Sequence, residues 1–446
     1  MTAAVAAGRE KEGWAAVAAA FATSPWVLPA IFAGGMLVRL LMILFFPQEP
    51  ISDGLFYYSR AAEMAAGQGY REEGVPTAFW PVGYPALLAG AMLVFGKTLA
   101  ASAAVNLVSA AAILWLVLWF GRQVTGSEAA ARLGALLYAV YPAHIAYTGT
   151  TLSETSYTAV TMGAFALMVG GRAKLRWMAL AGLLFGVATL MRPQTMLFPA
   201  GVLIALVLVT RDFRWKDALK SALVLHLVLA ATVLPWSLRN QRVLGEFVWV
   251  STNAGVALYT GANDQANGDY FAWEKGPLWD ASGIPFAERV TRQVELDRRF
   301  QKLATDWIKE NPGRYLAMGP KKAALLWHKD SDGFWGLKNS HPRHEAALTA
   351  MQWLNQGFYA LILLLSAFCF AVATRALFRR EDALMPLGLL FCMPVFSTLL
   401  AFFFTGQIRY HYPAMPFLMV AAAWALLRLA AMVRKPGQAE PALAAA

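Results

Sequence analysis

The chain has 446 residues, 58% of them hydrophobic and only 15% charged, with a formal net charge of +11; an ordinary soluble domain carries roughly 25% charged residues. Apolar runs of about 20 residues, separated by short basic stretches, exclude a soluble enzyme and a nucleic-acid binder and point to a polytopic helical membrane protein. Cys369 and Cys392 lie inside apolar runs and the six histidines show no ligand spacing, so no disulfide framework and no metal motif is legible.

Residues 1–25 read as a cytoplasmic or interfacial segment, because Arg9 and Lys11 alternate with Glu10 and Glu12 rather than forming a signal-peptide head. The first span is 26–46, with Arg39 inside it, paired or snorkelling. A first external segment, 47–98, follows. It holds "ISDGLFYYSRAAEMAAGQGY", which places Asp53, Tyr57, Tyr58 and Arg60 just beyond the span. It also holds Trp80 and the run "PVGYPALLAGAMLVFG", 81–96, with Tyr84. That run is apolar but too short to cross a bilayer, and it reads as interfacial. The next spans are 99–121, 132–149, 155–170, 176–191, 195–210 and 218–236.

A second external segment, 237–351, begins with strand-like "GEFVWVSTNAGVALYTG". It continues with an amphipathic helix that puts Val290, Val294, Leu296, Phe300, Leu303, Trp307 and Ile308 near one face. The closing spans are 352–374, 383–404 and 412–430, with a cytoplasmic tail at 431–446. The domain plan is therefore a transmembrane module, 26–236, a periplasmic domain of small mixed α/β structure, 237–351, and C-terminal transmembrane helices, 352–430.

Charge orients this plan. With 81–96 left outside the bilayer, the inside connections carry Arg122 and Arg132; Arg172, Lys174 and Arg176; Arg211, Arg214, Lys216 and Lys220; and Arg375, Arg379 and Arg380. The short outside turns carry only Arg192 and Arg409. The positive-inside rule then gives ten spans with both termini in the cytoplasm.

The polar residues at the outer span ends are Asp53, Glu154 in "TLSET", Arg192 in "LMRPQT", Arg239 in "LPWSLRN", and Arg409 with His411 in "GQIRYHYP". Outside arginines run against the topology signal, and a guanidinium fork matches phosphate oxygens. A carboxylate can take a proton from an acceptor hydroxyl. A departing phosphate is already a stable anion, so it needs cations rather than the second acid of glycoside hydrolysis. One base with several cations suits sugar transfer from a lipid phosphate. "DSD", Asp330 to Asp332, matches the Asp-x-Asp pattern of nucleotide-sugar enzymes, but no Rossmann fingerprint or P-loop accompanies it. In "LLWHKDSDGFW", His328 and Lys329 are possible contacts, with a helix end facing water as the plainer reading. Tyr57, Tyr58, Trp80 and Tyr84 are sugar- or prenyl-contact candidates; aromatic residues also anchor helices at the interface.

These segments together resemble the GT-C superfamily of membrane glycosyltransferases, in particular the bacterial branch with protein O-mannosyltransferases and lipid A aminoarabinose transferases. The resemblance runs from about Leu37 to Ala430. It rests on the acid after the first span, "PVGYPALLAGAMLVFG", "GRQVTGSEAAARLGALLYAVYPAHIAYTGTTLSE", "LPWSLRNQRVLGEFVWVSTNAG" and "RYHYPAMPFL". It implies that Asp53 is the base or acceptor-orienting group and Glu154 a second active-site carboxylate. It also implies that the donor is a polyprenyl-phosphate sugar transferred with inversion; the charge-based topology puts the site on the outside, the periplasmic face of a bacterial inner membrane. Arg192, Arg239, Arg409, His411 and Arg60 are the phosphate candidates. The chain departs from the pattern at Asp53-Gly54, where many relatives have Asp-Glu, and at Phe56, where aminoarabinose transferases have Arg; Arg60 would replace that contact. A magnesium or manganese ion at the Asp53/Glu154 pair is left open, as are the sugar, the acceptor (lipid, glycan or protein) and two other functions: a flippase of lipid-linked sugars, and a lipid-linked oligosaccharide polymerase or ligase.

Overall fold

The computed structural model describes residues 21–172, 174–269 and 277–432. Most of the expected N-terminal segment and of the tail lies outside them. The described residues form a bundle of helices, and six are long and apolar enough to cross a membrane. The protein is a multi-pass membrane protein.

Each expected span falls on helix. The first is α1, Val27–Phe45. Arg39, fully buried within it, donates to the carbonyls of Gly35, Ala139 and Tyr138 and lies over the Tyr138 ring, so it is paired inside the bundle. After α2, Asp53–Ala65, comes α3, Gly83–Phe95. At thirteen residues α3 is about 20 Å long, too short to span. It packs on α2 and on α4, Leu99–Thr125, and exposes Leu93 and Val94.

The span at 132–149 is two helices, α5 (Glu128–Val140) and α6 (Pro142–Tyr147), because Pro142 cannot continue the ladder of α5. Then come α7, Glu154–Gly170; α8, Leu175–Met191; α9, Phe198–Val209; and α10, Trp215–Leu244. α8 packs along α10. A Cβ on Gly182 would stand 2.4 Å from the Leu225 carbonyl oxygen, and one on Gly186 would stand 2.5 Å from Thr232 Cβ. Small residues let the backbones meet where no aqueous driving force exists between helices.

The external part differs from expectation. "GEFVWVSTNAGVALYTG" forms no strand; it runs as a loop into the short helix α11, Ala254–Thr260. The strands among the described residues are β1, Arg71–Glu72, and β2, Val75–Pro76, a two-residue hairpin in the first external segment. The alternation at 246–250 is spent otherwise: the carbonyls of Val248 and Val250 accept from Asn240, that of Trp249 from Ser237, and Trp236 Nε1 donates to the Val250 carbonyl. Side chains of α10 thus take hydrogen bonds that a partner strand would have taken.

The expected amphipathic helix is α12, Gln293–Glu310, which buries Leu296, Phe300, Ala304 and Trp307. α13, Pro312–Trp327, and α14, Gly333–Ser340, lead back to the bundle. There α15, Glu345–Arg379, starts well before the expected span. α16, Cys392–Phe403, and α17, Met415–Met432, are each entered through a 3-10 segment. Gln293 ties the two external segments together: its Oε1 accepts from Ala78 N at 2.8 Å, and its Nε2 donates to the Pro76 and Val290 carbonyls.

Candidate active site

Both candidate acids open helices. Asp53 is the first residue of α2 and Glu154 the first of α7, where the positive end of the helix dipole favours a carboxylate. Ser52, just before Asp53, has φ of 50°, a conformation that non-glycine residues rarely adopt. Arg192 follows α8 with extended backbone, as the residue before a proline must. Arg409 lies in the 3-10 segment Ile408–Ala414 ahead of α17.

These four remote residues meet. Arg409 Nη2 is 2.7 Å from Asp53 Oδ2, Arg192 Nη2 is 2.6 Å from Glu154 Oε1, and Arg409 Nε is 3.9 Å from the same Glu154 oxygen. Arg409 therefore bridges the two acids. Arg192 also lies over the rings of Tyr157 and Tyr410. The pairs differ in access: the side chains of Asp53 and Arg409 are 19% and 18% exposed, that of Glu154 only 2%.

Glu154, Arg192 and Arg409 border a cavity of about 510 Å³. One part of its wall is polar and aromatic, with Tyr57, Trp80, Gln194, Ser251 and Asn253. Another part is apolar, with Met196, Leu197, Met393, Phe396, Leu400 and Phe404. α11 closes one side through Ala254, Val256, Ala257 and Thr260. Tyr57 packs against Trp80 and Tyr84. Burial, then the Asp53 charge, pushes its hydroxyl well above the usual tyrosine range, so it stays protonated and can donate to an anion.

Several candidates lie elsewhere. Arg239 donates to the carbonyls of Thr77 and Tyr70 and lies over Trp236; it fastens the first external segment to α10. Arg60 is bound to Glu63 and sits over Phe56, so it does not replace the phosphate contact expected of it. Tyr58 donates to the Lys97 carbonyl, an anchoring role. Lys329 and His328 are exposed and line no part of the cavity. Tyr84 is buried behind Tyr57. His411 is buried between the rings of Trp327 and Tyr359; its Nδ1 faces the Leu326 carbonyl and its Nε2 lies 3.4 Å from Asp330.

The "DSD" stretch does not simply face water. Asp330 is 5% exposed and accepts from Tyr141 Oη. Burial pushes its carboxyl up, but the hydrogen bond and charge of His411 and the hydroxyl of Tyr141 outweigh that and hold it below the usual range. Asp332 accepts from Tyr147 Oη at 2.8 Å. Burial raises its carboxyl; the charge of Arg409 opposes this and that of Glu154 reinforces it, so Asp332 borders the cluster. The tyrosines that hold the two aspartates come from "YPAHIAY", and no local sequence signal links the two stretches. Tyr157, one turn beyond Glu154, is likewise a cavity residue.

Gly54 explains one departure from the family pattern. A Cβ there would stand 3.3 Å from the Thr151 carbonyl oxygen, so the first turn of α2 lies against the loop that carries Glu154. Between Asp53 and Glu154 the guanidinium of Arg409 fills the place a divalent ion would need, and among the described residues no three His, Cys, Asp or Glu side chains gather. The pair as arranged does not fit a metal.

Residues 80–236 match the family model described as dolichyl-phosphate-mannose-protein mannosyltransferase. No curated protein matched the chain. Among solved structures, the apo oligosaccharyltransferase of Archaeoglobus fulgidus aligns with a TM-score of 0.54 at 14% identity, over 93% of this chain and 52% of that one. The same organism's oligosaccharyltransferase AglB, in complex with an inhibitory peptide and a dolichol-phosphate, aligns with a TM-score of 0.52 at 16% identity, over 93% and 52%. ArnT from Cupriavidus metallidurans bound to undecaprenyl phosphate aligns with a TM-score of 0.43 at 15% identity, over 95% and 84%. The chain spans about half the length of the archaeal oligosaccharyltransferases it matches, and at these identities the likeness is one of fold. The family match covers residues 80–236, and what the chain shares with the archaeal oligosaccharyltransferases is the architecture of a helical membrane bundle.

Proposed function

We propose that the protein transfers a sugar from a polyprenyl-phosphate donor to a hydroxyl of a glycan, lipid or protein acceptor, at the periplasmic face of a bacterial inner membrane and with inversion. One observation carries this reading: Arg192, Arg409 and Glu154 border a cavity whose further wall is apolar, and Arg409 holds Asp53 beside it. The donor phosphate would sit against Arg192 and Arg409, and the start of its prenyl chain along Met196, Leu197, Phe396 and Leu400. Asp53 would take the proton of the acceptor hydroxyl. The freed oxygen bonds to the anomeric carbon while the bond from that carbon to the phosphate oxygen breaks. The polyprenyl phosphate leaves with the electron pair, and the arginines hold its growing charge. Attack opposite the departing phosphate inverts the centre.

The Asp53–Arg409 pair adds an order to these events. Arg409 holds the base at 2.7 Å, so a bound phosphate must compete for the same guanidinium and thereby release the carboxylate. Donor binds first, acceptor second. A divalent ion would have to displace Arg409 from between the acids, so turnover is expected to persist in EDTA.

The test is purified protein with a synthetic polyprenyl-phosphate sugar and candidate acceptors, measuring free polyprenyl phosphate. Asp53→Asn should abolish release while donor binding persists. Normal turnover by that variant would show that the base lies elsewhere. A matching diphosphate donor beside the monophosphate separates simple sugar transfer from the oligosaccharide-ligase reading that the fold likeness also supports.

A further inference from the structure

A second cavity, of about 310 Å³, lies at the other end of the bundle. The same two segments border both cavities. α9 runs twelve residues, about 18 Å, from Leu197 at the first to Val207 and Leu208 at the second. The segment from Met385 at the second reaches Phe404 at the first. The second cavity therefore belongs to the opposite membrane face.

Its polar wall is Arg211, Arg214 and Arg380. Arg211 meets Asp382 at 2.8 Å and Arg214 meets Asp217 at 3.8 Å, whereas no acid lies within ion-pair distance of Arg380 among the described residues. Arg380 has φ of 58° and caps α15 in the left-handed conformation. Glycine is the default there, because it has no Cβ to clash. An arginine at that strained position lines the cavity together with the other two. The apolar wall is Val207 with Leu208, which is 42% exposed, and Trp215, 57% exposed, stands at the rim. Cations above an outward-facing apolar wall with a rim tryptophan match a phosphate carried on an acyl chain; a soluble phosphate would leave the apolar wall unused.

We propose that this crevice binds the headgroup of an anionic bilayer phospholipid on the face opposite the catalytic cavity. The phosphate lies among Arg211, Arg214 and Arg380, and the chain descends along Leu208. This site is independent of the sugar-transfer reading.

Native mass spectrometry of the full chain, with phosphatidylglycerol, phosphatidylcholine and inorganic phosphate as separate probes, tests it. Wild type should retain phosphatidylglycerol several-fold over phosphatidylcholine. R211Q/R380Q should lose about ten-fold of that retention, and K174Q/R176Q, which removes the same charge elsewhere on that face, should keep it. Equal retention of the two lipids, equal loss in the two double variants, or full displacement of the lipid by inorganic phosphate would overturn the proposal. If R211Q/R380Q aggregates, Trp215→Ala at the exposed rim carries the test, with reduced phosphatidylglycerol retention expected and unchanged retention counting against the site.

Discussion

Two polar clusters lie side by side in the bundle, built from similar residues but differing in access. One is Asp53, Glu154, Arg192 and Arg409, the last three bordering the large cavity. The other is Asp330 with His411 and Tyr141, walled by Trp327 and Tyr359 and closed to solvent. The same short segments supply both. Arg409 and His411 are two residues apart in one 3-10 turn, and with about three residues per turn such positions face different ways. Asp330 and Asp332 divide likewise, one into the sealed cluster and one toward Arg409. Charge composition therefore does not mark the site. Access to the cavity separates the two clusters.

The comparison breaks most sharply at Asp53, the proposed base. Asp53→Asn should cut turnover by about 10²–10⁴-fold while donor affinity holds or rises, since Arg409 is then free; single-turnover kinetics with a separate donor titration would show both. Asp330→Asn should do the reverse. Breaking a buried pair costs roughly 3–5 kcal/mol, so the variant should melt earlier in detergent while the donor dependence of the remaining folded enzyme stays unchanged. A fall in activity without a fall in melting temperature would erase the distinction between the clusters.

Arg192→Gln should slow turnover by about 10²–10³-fold, the usual cost of losing one donor to a developing oxyanion, and should also weaken donor binding. Acid sharpens the contrast further. The Asp330 carboxyl is held below its ordinary value, so its stabilisation is present above the unfolded value of about 4 and fades as pH falls through the folded one. Melting curves at descending pH should show that loss in wild type and a flatter response in Asp330→Asn. The smallest effect expected is at Ser52. Glycine relieves its positive φ and should stabilise by about 1 kcal/mol, a gain read as a small rise in melting temperature.

Much of the architecture was legible because lipid imposes a simple rule: apolar stretches of sufficient length become helices that satisfy their own backbone. The apolar stretches fall on helices as that rule requires, six of them long enough to cross a membrane and the others shorter. The amphipathic period of α12 was equally readable, as an aqueous face demands. The strand-like period at 246–250 misled because side chains of α10 took those carbonyls. Arg239 and His411 were grouped with the phosphate ligands on their position at span ends, which says nothing about the direction in which a side chain points.

Composition and local order thus determined that the chain is a helical membrane bundle with acids and arginines at its span ends, because hydropathy and charge act over one turn or one span at a time. Which of those residues meet was decided only by the packing of α2, α7, α8 and the segment before α17. A guanidinium meets a carboxylate across a few ångströms of space, and residues 53, 154, 192 and 409 reach that separation only when the whole bundle closes.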